Sequence, residues 1–505
     1  MLPGLVLTGI GLAVAAVPVL AQTTPTAPQG PTQAPTPVRK PSPPVRVAQT
    51  GTAPRGAGPH TLNEALAATY STQPALLAER AKLRATDENV PQALAGWRPT
   101  VVLGGTLGYG DGVSRILSSP NAFGARSTIT SQTVRDFATA QATVTQNIYN
   151  SGRVHGNLNR SRSQVMAERA TLIAQEQTSF LATVSAYVGV IQARQLLELQ
   201  RNNEQVLAKQ LQATNDRFRV GEITRTDVAQ AEAALAGARA QRETAEGSLA
   251  TARGTFQQIV GARPPDDMVE PQPLVLPVKT EAEVTTLASN NNPTVIAALF
   301  NDAAAKDAVD VALAALGPQV GLQGQTFQQE NSASRGSESS GYAVTLQLSV
   351  PIYQGGAEYA AVRAARQSQQ QTTRQIDDAK RTAVQNAVAA LSTYLGARAA
   401  ADSTRAQIRS NEIALEGVTR EAIVGSRTTL DVLNAQQLLL QSRTALVQNL
   451  SQLVTASYQV AQAIGRLTAR DLRLPVPLYD ETAYYNAVKS RWSGLGDYAT
   501  DQPAR

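Results

Sequence analysis

A helical hairpin is written twice into this chain, over residues 154–261 and again over residues 358–465. Under one constant offset Tyr149 falls on Tyr353, Gly152 on Gly356, Val220-Gly221 on Val424-Gly425, Asp227 on Asp431 and Gly261 on Gly465. A period held for so long marks a structural repeat, and it excludes any fold that cannot place two such hairpins side by side.

Within each hairpin the apolar residues recur at coiled-coil spacing. Phe180, Val184, Tyr187 and Ile191 step by four, three and four, and Val384, Val388, Leu391 and Leu395 repeat the pattern. The return arm places Val228, Ala231, Leu235, Ala238, Ala245, Leu249, Ala252, Phe256 and Ile259 on the heptad, interrupted by Arg242. Its copy carries Val432, Ala435, Leu439, Ser442, Leu446, Asn449, Leu453, Ala456, Val460 and Ala463. Many of these residues are small, which lets the helices approach closely along a narrow seam. Between the arms, Gly221 and Gly425 suit a helix C-terminus, while Thr224 before Asp227 and Thr428 before Asp431 have the spacing of a capping box. Each stretch predicts a tight hairpin tip.

The chain has 505 residues, only 4% of them aromatic, and is rich in Ala, Gln and Arg, a composition suited to long helices. It has no cysteine, which excludes disulfides, thiolate metal sites and a cysteine-borne lipid anchor. Residues 1–21 are apolar and end Val19-Leu20-Ala21, reading as a signal peptide, although no Lys or Arg precedes the apolar run; an uncleaved anchor is the competing reading. Residues 22–59, rich in Pro, Thr and Gln, read as a disordered linker. Arg39, Lys40, Arg46 and Arg55 in that linker supply much of the formal charge of +6, and the helices lack the aromatic interleaving of a nucleic-acid surface, so no nucleic-acid partner is expected.

Each hairpin is preceded by a helix and a pair of alternating segments. Repeat 1 spans residues 60–261 and repeat 2 spans 283–470, joined by a linker at 262–282 and followed by a tail at 471–505. Pro74 and Pro99 match Pro293 and Pro318 at a larger offset than the hairpins keep, so repeat 1 holds extra residues between Pro99 and Tyr149. Strands are predicted at about 98–110 and 136–149, and again at about 318–328 and 342–353, with Ser-, Gly- and Asn-rich loops between them. Val344, Leu346, Leu348, Val350 and Ile352 alternate with Thr345, Gln347 and Ser349, giving one apolar and one polar face. That is the signature of a transmembrane β-strand. Four strands cannot close a barrel, and open sheet edges are not tolerated in lipid, so the barrel must be shared between chains. Two chains give eight strands and a bore filled by side chains, whereas three give twelve and an open channel.

These features resemble the TolC-type outer membrane efflux proteins. The resemblance rests on the duplicated strand pair and hairpin, on Val350-Pro351-Ile352-Tyr353-Gln354-Gly355-Gly356 at the strand-to-helix junction, and on paired Val-Gly-x-x-Thr tips followed by Asp. It covers about Thr61 to Asp471. It implies a mainly α protein with a β-barrel portion, a homotrimer whose twelve-stranded barrel in the outer-membrane lipid continues into a helical tunnel through the periplasm. It further implies a passive exit duct for efflux or type I secretion, with a periplasmic adaptor and an inner-membrane transporter as partners. Thr226, Asp227, Arg427 and Asp431 match the family's closable aperture, and Val220, Gly221, Thr224, Val424, Gly425 and Thr428 its adaptor-contacting tips. Ala422 and Asn434 stand where the family's best-known member has a Tyr and a second Asp.

Taken on their chemistry alone, the tip residues carry two readings. Asp431 repeated around a narrow pore favours cations, and Arg427 offers bidentate pairing to a carboxylate such as Asp227. Both aspartates are also good helix N-terminal caps. No catalytic, cofactor or metal site is expected. His60 and His155 lack ligand partners at useful spacing, Gly105 to Gly112 leaves a strand rather than opening a helix, and Asp266-Asp267 and Asp377-Asp378 read as surface. The rival readings are a soluble coiled-coil scaffold and a periplasmic adaptor without a channel.

Overall fold

Two α-helices of 67 residues each, roughly 100 Å long at 1.5 Å rise per residue, dominate a computed structural model that describes residues 58–117, 123–124, 127–278, 280–332 and 335–496. The expected signal peptide and nearly all of the Pro-rich linker lie outside the described residues. In chain order the elements are α1 (Leu62–Thr72), α2 (Pro74–Asp87), α3 (Asn89–Ala95), β1 (Thr100–Leu117), β2 (Thr128–Tyr149), α4 (Arg153–Arg219) and α5 (Arg225–Val260). The second half follows as α6 (Glu281–Asn291), α7 (Pro293–Ala314), β3 (Gln319–Glu330), β4 (Glu338–Ser349), α8 (Ala357–Ile423), α9 (Thr429–Ala463) and a short α10 (Ala483–Val488).

The prolines that match between the repeats do the same work in each. Pro74 and Pro293 open α2 and α7 at the position where a missing N–H costs nothing, so the preceding helix stops there. Asn292 caps α7 through the Thr294 N–H at 2.9 Å and donates its amide to the Ala463 carbonyl at 3.1 Å, tying the break to the end of α9. Gly152 and Gly356 precede α4 and α8 with φ of 86° and 84°, a left-handed turn that a side chain would strain.

The largest core lies midway along the helices. Phe180, Val184, Tyr187 and Ile191 of α4 are buried with Leu66 and Tyr70 of α1, Leu76 and Leu83 of α2, Phe256 of α5 and Tyr458 of α9. The copy is leaner: Ala387 and Leu391 of α8 meet Val284, Ala288, Val460 and Ile464. Here the heptad expectation needs correction. Leu395 is 50% exposed, because α8 turns its small residues Ala383, Ala387, Ala390, Ala397 and Ala401 inward instead. Lower down, polar residues replace apolar ones in the α8–α9 seam, with the Asn411 amide 2.6 Å from Ser442 Oγ and the Asn449 amide 3.1 Å from Thr404 Oγ1. Helix α7 packs against both α4 and α8, where buried Asp302 accepts from Thr372, Thr373 and Lys306 at 3.1, 2.8 and 2.7 Å.

The four strands form one antiparallel sheet in the order β1-β2-β3-β4. β2 and β3 pair although the whole first hairpin separates them in sequence, so the duplication closes on itself at the sheet. Register puts Val101, Leu103, Leu107 and Tyr109 on the same face as Val144, Leu322, Tyr342, Val344, Leu346 and Leu348. The opposite face carries Gln141, Thr143, Gln323, Gln325, Thr345 and Gln347, with Gln325 and Gln141 bonded at 3.2 Å. The apolar face is bare, with Leu103 and Leu107 at 81% and 86% exposure.

Strand limits differ from expectation. β1 and β2 extend to Leu117 and back to Thr128, well past the expected ends at residues 110 and 136, because Val113, Ile116, Ile129 and Val134 continue the ladder through what composition marked as loop. The ribbon beyond Leu107↔Ala138 therefore outruns β3 and β4. β4 ends at Ser349 rather than 353, just ahead of Pro351, which has no N–H to donate.

The tail runs along the outside of α1, α2 and α4 and reaches the foot of β1. The Tyr479 N–H donates to Tyr70 Oη at 2.9 Å, and the Arg80 guanidinium lies over both rings at 4.4 and 5.1 Å. Further on, Tyr484 Oη donates to Glu88 at 2.8 Å, Tyr485 sits under Arg169 and packs with Val90, Leu158 and Val165, and Arg98 donates to the Arg491 carbonyl.

Under this strap lies Asp87, 1% exposed, with no hydrogen-bond partner for either carboxylate oxygen. Burial pushes its pKa up to about 6, against the pull of Arg169 and with help from Glu88 and Glu481. A carboxyl raised in the folded state binds its proton more tightly there than when unfolded, so stability falls as pH rises from about 4 to about 6. Asp87→Asn should thus stabilise the chain at neutral pH by on the order of 1–2 kcal/mol and flatten the pH dependence of its unfolding midpoint in that window.

Candidate aperture and docking tips

Each hairpin ends in the same turn. At the first tip the Glu222 N–H reaches the Arg217 carbonyl at 3.0 Å and the Gly221 N–H the Phe218 carbonyl at 3.0 Å. At the second, Ser426 reaches Glu421 at 3.0 Å and Gly425 reaches Ala422 at 3.4 Å. This is the Schellman pattern, which satisfies the last carbonyls of a helix and requires a left-handed residue; Gly221 and Gly425 supply it at φ of 78° and 81°.

The next helix starts three residues later with a full capping box. Thr224 N–H donates to Asp227 Oδ2 at 3.0 Å, while the Asp227 N–H returns to Thr224 Oγ1 at 3.4 Å. Thr428 and Asp431 repeat this at 3.0 and 3.3 Å. Both carboxylates are held below the usual range, Asp227 chiefly by the Thr224 hydroxyl and Asp431 chiefly by the Thr428 N–H. The local sequence folds this way because glycine ends one helix and a Thr/Asp pair starts the next, leaving three or four residues to reverse the chain.

The structure therefore brings together Thr224 with Asp227 and Thr428 with Asp431. Thr226 is exposed in the first turn of α5, and Val220 and Val424 stand out at 77% and 78% exposure. It does not bring Arg427 to Asp227. Arg427 Nε instead bonds Glu421 Oε2 at 2.9 Å within its own tip. The first tip holds the mirror arrangement, with Arg217 in the last helical turn paired to Glu222 in the loop. Sequence reading missed these three residues, Arg217, Glu222 and Glu421. The signal was present: Arg217 and Glu421 are offset equivalents of opposite charge, each within six residues of a partner of opposite sign. The two hairpins also meet near their ends, where Leu433 of α9 packs on Leu207, Leu235 and Ala238.

A sheet with one bare apolar face, set at one end of paired 67-residue helices whose far ends are capped hairpin tips, defines a membrane channel with a helical conduit. The chain belongs to the outer membrane efflux protein family, whose signature spans residues 65–262 and 284–466. It is 33% identical to the outer membrane efflux protein BepC of Brucella suis over 439 residues, covering 86% of this chain and 92% of BepC. It is 25% identical to the outer membrane protein TolC of Escherichia coli over 467 residues, covering 86% and 89%. The fold matches the outer membrane protein VceC from Vibrio cholerae with a TM-score of 0.68 at 20% identity, over 80% of this chain and 96% of VceC. The chain is an outer-membrane exit duct with a periplasmic helical tunnel, and the scaffold and adaptor readings fall away.

Removing the first cap should loosen the tip alone. Thr224→Ala is expected to cost about 1 kcal/mol in the first turn of α5, seen as roughly fivefold faster amide exchange at residues 225–228 with the α4 core unchanged. Since Asp227 titrates low, the cap's contribution is complete above an ordinary carboxyl pKa of about 3.9 and is lost as pH falls through the depressed value. The protection factor at the tip, taken relative to the intrinsic exchange rate at each pH, should accordingly be flat at neutral pH and fall only in strong acid.

Proposed function

We propose that three copies of this chain share one twelve-stranded barrel in the outer-membrane lipid and twelve helices in the tunnel, and that the tips form a closable aperture docked to a periplasmic adaptor and, through it, to an inner-membrane transporter. The observation that carries this reading is the open sheet: β1 and β4 are unpaired edges on a sheet whose one face is apolar and whose other face is Gln, Thr and Ser. Backbone groups at those edges need partners wherever the apolar face meets hydrocarbon, and a neighbour's β4 against β1 supplies them. Two chains would give a bore that side chains fill, whereas three leave a polar-lined channel. Leu395 of α8, half exposed while the alanines of that helix face inward, offers an apolar contact to a helix from the next copy.

Under this reading the duct is passive and performs no catalysis. Val220, Gly221, Thr224 and their copies Val424, Gly425 and Thr428 present two bare valines on rigid turns to the adaptor. Thr226, Asp227, Arg427 and Asp431 line the aperture, with Arg427 held back by Glu421 from any carboxylate across the pore. Asp431 from three chains would concentrate negative potential in a narrow throat and favour cations.

Purified protein in a planar bilayer should show a cation-preferring channel from a complex of three chains. Asp431→Ala should reduce the cation preference, and Asp227→Ala with Arg427→Ala should raise single-channel conductance. A homogeneous trimer that stays non-conducting in both variants would rule out the duct, and unchanged selectivity in Asp431→Ala would rule out the acidic ring.

A further inference from the structure

Both tryptophans of the chain, Trp97 and Trp492, come to the same place although most of the sequence separates them. Trp97 stands three residues before β1, and its carbonyl accepts the Gln146 amide at 2.9 Å, near the end of β2. Trp492 is brought there by the tail, with its ring 4.9 Å from the Arg98 guanidinium. Val101, the first residue of the bare apolar face, follows Arg98 by three positions. Trp492 thus lies at the lower rim of the lipid-facing band.

The strap that delivers it is fixed along its whole route, through Tyr479 to Tyr70, Tyr484 to Glu88, Tyr485 to Val90 and Leu158, and Arg98 to the Arg491 carbonyl. Yet the strap's end turns its largest apolar side chains outward: Trp492 is 70% exposed and Leu495 fully so. A packed strap that ends in exposed Trp and Leu is built to be covered. The surrounding charge is basic, from Arg98, Lys489 and Arg491, and neither Arg98 nor Lys489 enters an ion pair among the described residues. Tryptophan beside cations at the edge of an apolar band is the composition of a membrane–water interface, where the indole sits among headgroups and the cations meet lipid phosphate.

We infer that residues 489–495 of the tail are a second membrane contact, seating Trp492 and Leu495 in the periplasmic leaflet of the outer membrane beside the foot of β1. The occupant is the phospholipid surface, chosen by continuity with the apolar band and by charge. This inference rests on the barrel reading given above. The tail thereby gains a mechanical role, because the strap ties the helical body, through α1, α2 and α4, to the same bilayer that holds the barrel. Load on the tunnel then reaches lipid by two routes.

Because the chain has two tryptophans, Trp97→Phe leaves Trp492 as the sole reporter in the full-length protein. The trimer is reconstituted in vesicles of phosphatidylethanolamine and phosphatidylglycerol containing lipids brominated either near the headgroup or deep in the chain. Shallow bromine should remove on the order of half the Trp492 emission, deep bromine much less, and aqueous iodide little. Quenching by iodide with no effect of either lipid would overturn the proposal, as would shielding from all three, which would mean a protein cover. A parallel variant, Trp97→Phe with Trp492→Phe and Leu103→Trp, reports the barrel itself. If that reporter responds to deep bromine while Trp492 ignores lipid, only the tail contact fails; if neither responds to lipid, the barrel reading fails with it. Should Trp97→Phe not assemble, Trp97→Tyr provides the same single reporter with the polar tip of an interface aromatic retained.

Discussion

Everything in this molecule answers to the unpaired edges of its sheet. A four-stranded sheet leaves two rows of backbone donors and acceptors unsatisfied, and here the adjoining face is apolar rather than wet. Water cannot reach those groups once the face is buried in hydrocarbon, and each unsatisfied group costs several kcal/mol there. In the proposed assembly other copies supply the missing strands, and since each strand pair leads directly into a long hairpin, sharing the sheet would also set the helices into a ring.

The helices meet that demand by keeping their mutual contacts thin. Large residues concentrate at one level, around Phe180, Tyr187 and Phe256, where α1, α2 and the tail wrap the bundle. Below it the seams become alanine, serine and asparagine, with hydrogen bonds such as Asn411 to Ser442. Small residues let neighbouring helices lie close, and polar pairs fix register with less apolar area. At the far end rigidity returns through backbone geometry: a left-handed glycine, a Schellman turn and a capping box in seven or eight residues at each tip. Salt bridges of opposite polarity, Arg217 to Glu222 and Glu421 to Arg427, then make the two tips chemically distinct while their backbones stay alike.

The tail adds a different element, since it belongs to neither repeat. Its aromatic residues alternate between neighbours on the helical body and, at Trp492, solvent, and it covers Asp87, whose carboxylate oxygens find no donor. Burial favours the neutral form of such an acid, so its ionisation above about pH 6 costs stability.

Much was legible in the chain itself. Register between the copies, heptad spacing and the Gly and Thr/Asp tip signals depend on local rules, and local rules survive without tertiary information; the capping boxes at Thr224 and Thr428 are of this kind. The alternation of β4 likewise named its apolar face. Tertiary structure decided what local rules leave degenerate. Ladder pairing with a partner strand carried β1 to Leu117 through a glycine-rich stretch, and alanine packing turned Leu395 outward although the heptad placed it inside. Arg427 faced several carboxylates at comparable sequence distance, and only the turn geometry selected Glu421. The meeting of Trp492 with Arg98 had no sequence signal at all, because contact between residues so far apart is set by the path of the chain over the folded surface.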